Sequence, residues 1–589
     1  MIRTNHLLFS LACVALLSSC AKDNVDDYRE ALDAEIVVAL NENVDGIISL
    51  IEEFHRQTSV AALSSLNESE RNQSCVLYME NGVSPHLYHS LCSDVVSVPE
   101  VSIAEVQGEF FWLLDGEFLM EDGTRVSVSD KAHKPMFSLA GEEWSVTYGT
   151  RSIVYSPRTK ESRRISGLIS LDASSEQVLV RFSSGTQISL PKSVFYDQVL
   201  TEDVNRCFYK DVFMDAGVGL NPRTSLIAAD FLGLSLECIS VSSQTAQNQV
   251  MVGTFNDENG RLLYPDGQPR YRVLYVNGGD SRSHGSSLGE EGLARIRAFV
   301  RNGGAYVGTC AGAFLACNGY DSVSDYVNYL DLWPGRMIHT GLASSSTGMF
   351  IEDGSALFSY YRYGGDSYIA NVTHNKGGFP VDLPEGTEVL ARYDYPNLPA
   401  VHNQPSVWAY KEDFSTGRLV MTGSHPEAVT GGERLELMAA MLRYAMDGQG
   451  TVPLKGFLGK GITRMMDQAS SVNKPSNTRI GDLQCHHFAL YIPSSAKNIT
   501  FQVEASSQVN MKLMLSKDGF AFPDSSSFAS EGFGPRQELF IESLDEGIWY
   551  LAVQCLTTVT STNTDIGQDY TGNTDVLDGV AYMVCTNWD

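Results

Sequence analysis

The chain has 589 residues, too many for one hydrophobic core, so three or four domains are expected. Hydrophobic residues make up 43% and charged residues 19%, which excludes a wholly disordered chain. A formal net charge of −29 sets an acidic surface that repels phosphate backbones, which excludes nucleic acid as a partner class.

Arg3 gives the chain a positive start, and Leu7 to Leu17 form an apolar run too short to span a bilayer. The run ends in Leu17-Ser18-Ser19-Cys20, with small residues before the cysteine. This resembles a bacterial lipobox. The resemblance implies a lipoprotein signal peptide over 1–20, a lipid on Cys20 as the membrane contact, and a place in the cell envelope on the outer membrane or cell surface. An ordinary signal peptide with an incidental cysteine is the alternative. The acidic stretch from Lys22 to Asp27 resembles surface-export signals of Bacteroides-like lipoproteins. No later segment reaches eighteen apolar residues, so no other membrane span is expected.

Leu32, Ile36, Leu40, Val44, Ile47, Ile51 and Phe54 recur every three or four positions and predict a helix over 26–60. It reads as a spacer or short coiled coil, with a helical segment over 21–70. An all-β module is expected over 71–205. Asp115-Gly116 and Asp122-Gly123 sit between short apolar runs, a strong hairpin signal. Trp144–Tyr148, Ser152–Tyr155, Leu168–Leu171, Val178–Phe182 and Thr186–Leu190 continue the strands. This module and the helix before it resemble N-terminal modules of Bacteroides-type surface lipoproteins. Core packing is the first role of its aromatics, and surface or glycan contact is a further partner class.

Strands and helices alternate over 206–450, the mark of a parallel α/β sheet. Residues 451–482 read as a linker rich in Gly, Ser and Asn. A β-sandwich is expected over 483–589, from strand-like runs such as Phe488–Ile492, Ile499–Val503 and Trp549–Gln554. The segment Gly547 to Val553 resembles the C-terminal β-sandwich found after many secreted bacterial peptidases, where it is accessory.

Eleven cysteines are present. No CxxC pair or His/Cys cluster has zinc spacing, and neither metal nor cofactor is expected. Cys555 with Cys585, and Cys75 with Cys92, are candidate pairs that sequence alone does not assign. Once Cys13 and Cys20 are set aside, an odd number remains, which leaves at least one thiol free.

The chemistry concentrates at Ala305-Tyr306-Val307-Gly308-Thr309-Cys310-Ala311-Gly312. A buried strand ends at Thr309, and glycines flank Cys310 two positions away on each side, the cysteine form of a nucleophile elbow. The glycines let strand and following helix pass without Cβ clashes. The helix start favours a thiolate, and Ala311 N–H is available to a developing oxyanion. A glycine-flanked core cysteine is the bland alternative. Upstream, strand Arg272–Val276 runs into Asn277-Gly278-Gly279, so backbone amides are expected at the carboxyl end of a neighbouring strand. Ser287 and Glu290 read as the capping box of the helix between them, which ends at Gly303-Gly304. Downstream, strand Arg418–Thr422 precedes His425, with Glu427 two residues on to orient the imidazole. His425 alone would read as an ordinary surface histidine; elbow, base and orienter together read as a triad. His374 and Asn375 are candidate pocket residues, as is Asp366. His284 reads as a loop residue, and His486 and His487 carry no pattern.

Gly308-Thr309-Cys310-Ala311-Gly312 with His425-Pro426-Glu427 resembles the class I glutamine amidotransferase superfamily, over roughly residues 215–448. Asn277-Gly278-Gly279, the Cys-Ala-Gly-Ala elbow, His374-Asn375 and Gly423–Glu427 are similar to the biotin-protein ligase N-terminal-like branch. The resemblance implies a multidomain chain with a central flavodoxin-like α/β domain. It implies Cys310, His425 and Glu427 as catalytic residues, and Asn277, Gly278, Gly279, Ala311, His374 and Asn375 around an oxyanion and substrate pocket. No ATP-binding GxxxxGK[ST] loop occurs, so hydrolysis is expected in place of ammonia transfer. The expected activity is a cysteine-dependent amide hydrolase or peptidase acting on small-molecule or peptide amides. A surface protein that binds glycan or peptide with a vestigial triad is the alternative; a redox or chaperone protein of this fold would not need Glu427.

Overall fold

The computed structural model describes residues 36–67, 72–81, 83–91, 97–141, 143–157, 168–173, 177–193, 207–253, 259–450, 452, 454–469, 477–517, 519–564 and 567–589. Cys20, the expected signal peptide and Cys92 lie outside them. The chain has many sheets and few helices, and it divides into two compact units. One comprises 1–199 with 456–459; the other comprises 200–455 with 460–589. Among the described residues no helix is long and apolar enough to cross a membrane.

In the first unit, residues 36–56 are helical. The apolar stripe predicts that one face needs a partner, and the strands of the same unit supply it. Ile36, Leu40, Val44, Ile47 and Ile51 are buried in one core with Leu77, Leu87, Val101, Trp112 and Trp144. Phe54 meets Phe110 edge-on at 5.8 Å between ring centres. This corrects the spacer reading: the helix is part of the β-rich core. The expected boundary at residue 70 also fails, because Val60–Asn67 pairs antiparallel with Asn72–Met79 across it. The two Asp-Gly turns form as their sequence demands. Asp115 and Gly116 have φ of 46° and 78°, Asp122 and Gly123 have 48° and 83°, the left-handed pair that suits a two-residue hairpin.

In the second unit a nine-stranded sheet carries the candidate site. Its strands are β1 (Lys210–Asp215), β2 (Leu236–Ile239), β3 (Tyr271–Val276), β4 (Ala305–Thr309), β5 (Ser345–Ile351), β6 (Tyr368–His374), β7 (Glu388–Asp394), β8 (Pro405–Tyr410) and β9 (Leu419–Thr422). Their order is β2-β1-β3-β4-β9-β8-β7-β5-β6. The first five in that order are mutually parallel and the rest antiparallel. The parallel strands β3, β4 and β9 are almost wholly buried, as expected where helices cover both faces. Helices α1 (Ile227–Leu232), α2 (Gln244–Met251), α3 (Ser281–Arg301), α4 (Ala311–Ala316) and α5 (Glu433–Met446) complete this part.

Helix α3 begins earlier than its sequence suggests. Asp280 is the N-cap, accepting from Arg282 and Ser283 N–H at 3.0 and 3.2 Å, while Gly289 breaks the helical path at φ 63°. Ser287 donates to the His284 carbonyl at 2.7 Å, so the predicted Ser287/Glu290 capping box does not form.

Two further sheets, both antiparallel, lie toward the C-terminus. Cys485–Ile492, Gly547–Cys555, Met511–Ser516 and Phe528–Ala529 follow one another in one; Thr463–Met466, Tyr582–Asn587, Ile499–Ala505 and Arg536–Ile541 form the other. Thr463–Met466 lies within the expected linker and pairs with Tyr582–Asn587, so 451–482 is not a plain linker. A disulfide joins Cys207 to Cys485, 278 positions apart. Cys75, Cys555 and Cys585 are free thiols, which corrects both candidate pairs. Arg270 and Asp482, both buried, lie 2.6 Å apart, and Lys455 pairs with Asp266. Buried charges persist where each has a partner.

Candidate active site

Cys310 sits in the turn between β4 and α4, with φ 49° and ψ −101°. A non-glycine residue at positive φ is strained, and such strain collects at functional turns. The strain is held by the backbone: Cys310 N–H donates to Thr422 O of β9 at 2.9 Å. The flanking glycines are required by close approach. A Cβ on Gly308 would lie 2.6 Å from the Gly312 carbonyl carbon, and one on Gly312 would lie 2.2 Å from Val276 O. Cys310 is 5% exposed, and its sulfur lies 3.7 Å from the Asn375 carbonyl oxygen.

His425 follows β9, the strand beside β4, so both side chains leave the same sheet edge. Its N–H donates to Thr373 O of β6 at 2.8 Å. This contact closes the antiparallel half of the sheet back onto the β9 loop. The imidazole Nδ1 lies 2.9 Å from Glu427 Oε1, and Glu427 is buried. Burial opposes charge on this ring, but hydrogen bonds to Cys310 and Glu427 outweigh it and raise His425 to about 10. The ring is thereby held toward its charged form, the form that can give a proton to a leaving group.

Gly278 closes the other side. A Cβ there would lie 2.3 Å from His425 Cε1, 2.9 Å from Nδ1 and 3.4 Å from Cys310 Cβ. Only glycine leaves room for the imidazole beside the sulfur. Gly278→Ala is therefore expected to displace the ring and slow alkylation of Cys310 by about tenfold or more, with an unchanged circular dichroism spectrum. Alkylation at the wild-type rate would contradict that packing. Gly279, at φ 153°, bridges Leu220. Asn277 is fully buried, donating through Nδ2 to Asn221 O at 2.8 Å; its side chain braces the loop and does not line an open pocket.

His374 is likewise fully buried. Thr340 donates to Gly377 O at 3.0 Å, so it accepts from His374 Nε2 at 2.7 Å. Nδ1 then accepts from the Ser424 hydroxyl at 3.0 Å. Burial, with His425 nearby, lowers His374 to about 4. The expectation of a pocket histidine is corrected: His374 is a neutral internal brace for the residue before His425. The sulfur contact comes instead from the backbone of Asn375, whose side-chain Oδ1 accepts from Ser344 N–H at 3.0 Å.

Asp366 accepts from Tyr368 N–H at 3.1 Å, at the opposite end of β6 from His374, and is not brought to Cys310. His284 is no loop residue. It lies buried on α3, with Nδ1 2.8 Å from Val218 O and Nε2 3.0 Å from Asp215 Oδ2. Both nitrogens lie near acceptor oxygens, which favours the charged ring. Burial opposes this, but Asp215 raises the pKa. His486 and His487 are buried and held neutral by desolvation, His487 stacked on Phe520 at 4.5 Å. Among the described residues no group of three or more His, Cys, Asp or Glu is placed to hold a metal ion.

A family model described as "Biotin-protein ligase, N terminal" matches residues 266–324, from just before β3 to just past α4. No curated protein is significantly similar to the chain. Solved structures similar to parts of it include a glutamine amidotransferase, 19% identical over 36% of this chain and 89% of that one, with a TM-score of 0.24. PurLQS from Thermotoga maritima is 12% identical over 40% of this chain and 99% of its own, at 0.26. The pre-peptidase C-terminal domain of a collagenase from Bacillus anthracis is 16% identical over 22% and 92%, at 0.14.

Proposed function

We propose that this chain is a cysteine-dependent amide hydrolase or peptidase on a class I glutamine amidotransferase-like domain, carried to the cell envelope by a lipid on Cys20. The observation that supports it is the packing of one imidazole against both the Cys310 side chain and the Glu427 carboxylate. In the proposed reaction the Cys310 thiol passes its proton to His425 as its sulfur adds to an amide carbonyl. The backbone amides of Gly279 and Ala311 receive the oxyanion. The intermediate collapses as His425 gives its proton to the leaving amine, and the acyl-thioester remains. Water, deprotonated by His425, then releases the acid and restores the thiol. Glu427 holds the ring in the orientation that both steps need.

The test uses acyl electrophiles built on peptide and γ-glutamyl scaffolds, with the adduct located by peptide mapping. The expected adduct is on Cys310, and the scaffold that reacts faster names the substrate class. Adducts spread evenly over Cys238, Cys310 and Cys585 would favour a surface binding protein with a vestigial triad.

A further inference from the structure

Beneath the acyl site runs a side-chain bridge that the reaction scheme does not use. Tyr275 on β3 is fully buried. Its hydroxyl donates to Asn277 Oδ1 at 3.2 Å and lies 3.0 Å from Thr309 Oγ1. Asn277 Nδ2 already donates to Asn221 O, so its Oδ1 is the acceptor. The phenol's one proton is thus committed, and Thr309 must donate to the phenol oxygen. Asn221 N–H in turn donates to Gly278 O at 2.7 Å.

The position of this bridge matters. Thr309 immediately precedes the nucleophile, and Asn277 immediately precedes the glycine pair. The register of β3 and β4 ends at Val276 and Gly308. Past that pair no ladder fixes the glycine loop against the elbow, and the Tyr275 hydroxyl spans the gap. Phenylalanine would fill the same apolar space, so core packing accounts for the ring but not for the hydroxyl.

We infer that Tyr275 is a positioning residue for acyl transfer, setting the distance between the Gly279 amide of the glycine loop and the sulfur of Cys310. This rests on the thiol-hydrolase reading above. Oxyanion stabilisation depends on donors already in place when charge develops, and a buried, fully satisfied network is rigid enough to fix them.

Two electrophiles separate this role from general stability. Iodoacetamide alkylates sulfur as the C–S bond forms and iodide leaves, with no oxyanion. With p-nitrophenyl acetate, sulfur adds to the carbonyl, an oxyanion forms, and p-nitrophenolate leaves. Both rates are to be measured at Cys310 in the full chain, for wild type, Tyr275→Phe and Thr309→Val. The ratio of acylation to alkylation is expected to fall about tenfold or more in both variants, a fraction of the ~100-fold or larger loss seen when an oxyanion donor is removed. The alkylation rate and its pH profile should match wild type. An unchanged ratio in folded Tyr275→Phe overturns the inference, and so does an equal fall in both rates. If Tyr275→Phe does not fold, Thr309→Val decides by the same ratio. Wild-type Cys310 that alkylates but never acylates overturns the hydrolase reading itself and the inference with it, an outcome visible without any variant.

Discussion

Cys310→Ala is expected to abolish amide hydrolysis, lowering turnover by at least about 10⁴-fold, the scale seen when the attacking atom of a triad is removed. The methyl keeps the Cβ, so the elbow glycines and the hydrogen bond from residue 310 N–H to Thr422 O remain. Alanine keeps the backbone at φ 49° and loses only the sulfur atom, which leaves folding stability near wild type. The readout is product release from the scaffold that labels fastest, alongside a thermal melt. Full hydrolysis by the alanine variant would end the case for this nucleophile.

Glu427→Gln should reduce turnover by about 10²-fold to 10⁴-fold while leaving substrate affinity nearly intact. The amide is the same size, but it no longer compensates charge on the ring 2.9 Å away. His425 then falls from about 10 toward its ordinary 6.5. The pH dependence of stability follows from the sign of that shift. A histidine raised in the folded state contributes stability that is complete below its unfolded value of 6.5 and lost as pH climbs through about 10. The wild type should therefore lose melting temperature between these limits, and the variant should lose less. Parallel melting curves for the two proteins across that range would show that Glu427 does not hold the imidazolium.

The elbow was legible because its demands are local. Glycines two residues either side of Cys310 answer contacts made within the β4–α4 crossing and with the adjacent strand β3. His425 and Glu427 were legible because a short segment after a strand carries both base and orienter. The roles of His374 and Asn375 were not, because they depend on the antiparallel half of the sheet closing back on the β9 loop. The carbonyl that meets the sulfur belongs to a residue 65 positions away, and a backbone group leaves no mark in composition. His284, on helix α3, was missed for the same reason: its partner Asp215 stands at the end of strand β1. The N-terminal helix shows the limit of periodicity. Its stripe predicted that a face would be covered, but not that β-strands of the same unit would cover it. Thr463–Met466 lacks the alternation of a half-buried strand, and only pairing with Tyr582–Asn587 makes it one.

The most direct measurement is the rate of iodoacetamide alkylation at each thiol, followed by peptide mapping at neutral pH in the wild type and in His425→Gln. Cys310 should react well ahead of Cys238 and of Cys317, whose thiol burial pushes up, and the His425 substitution should erase most of that lead. A Cys310 rate no greater than that of Cys238, or one indifferent to the loss of His425, would contradict the pairing of sulfur and imidazole.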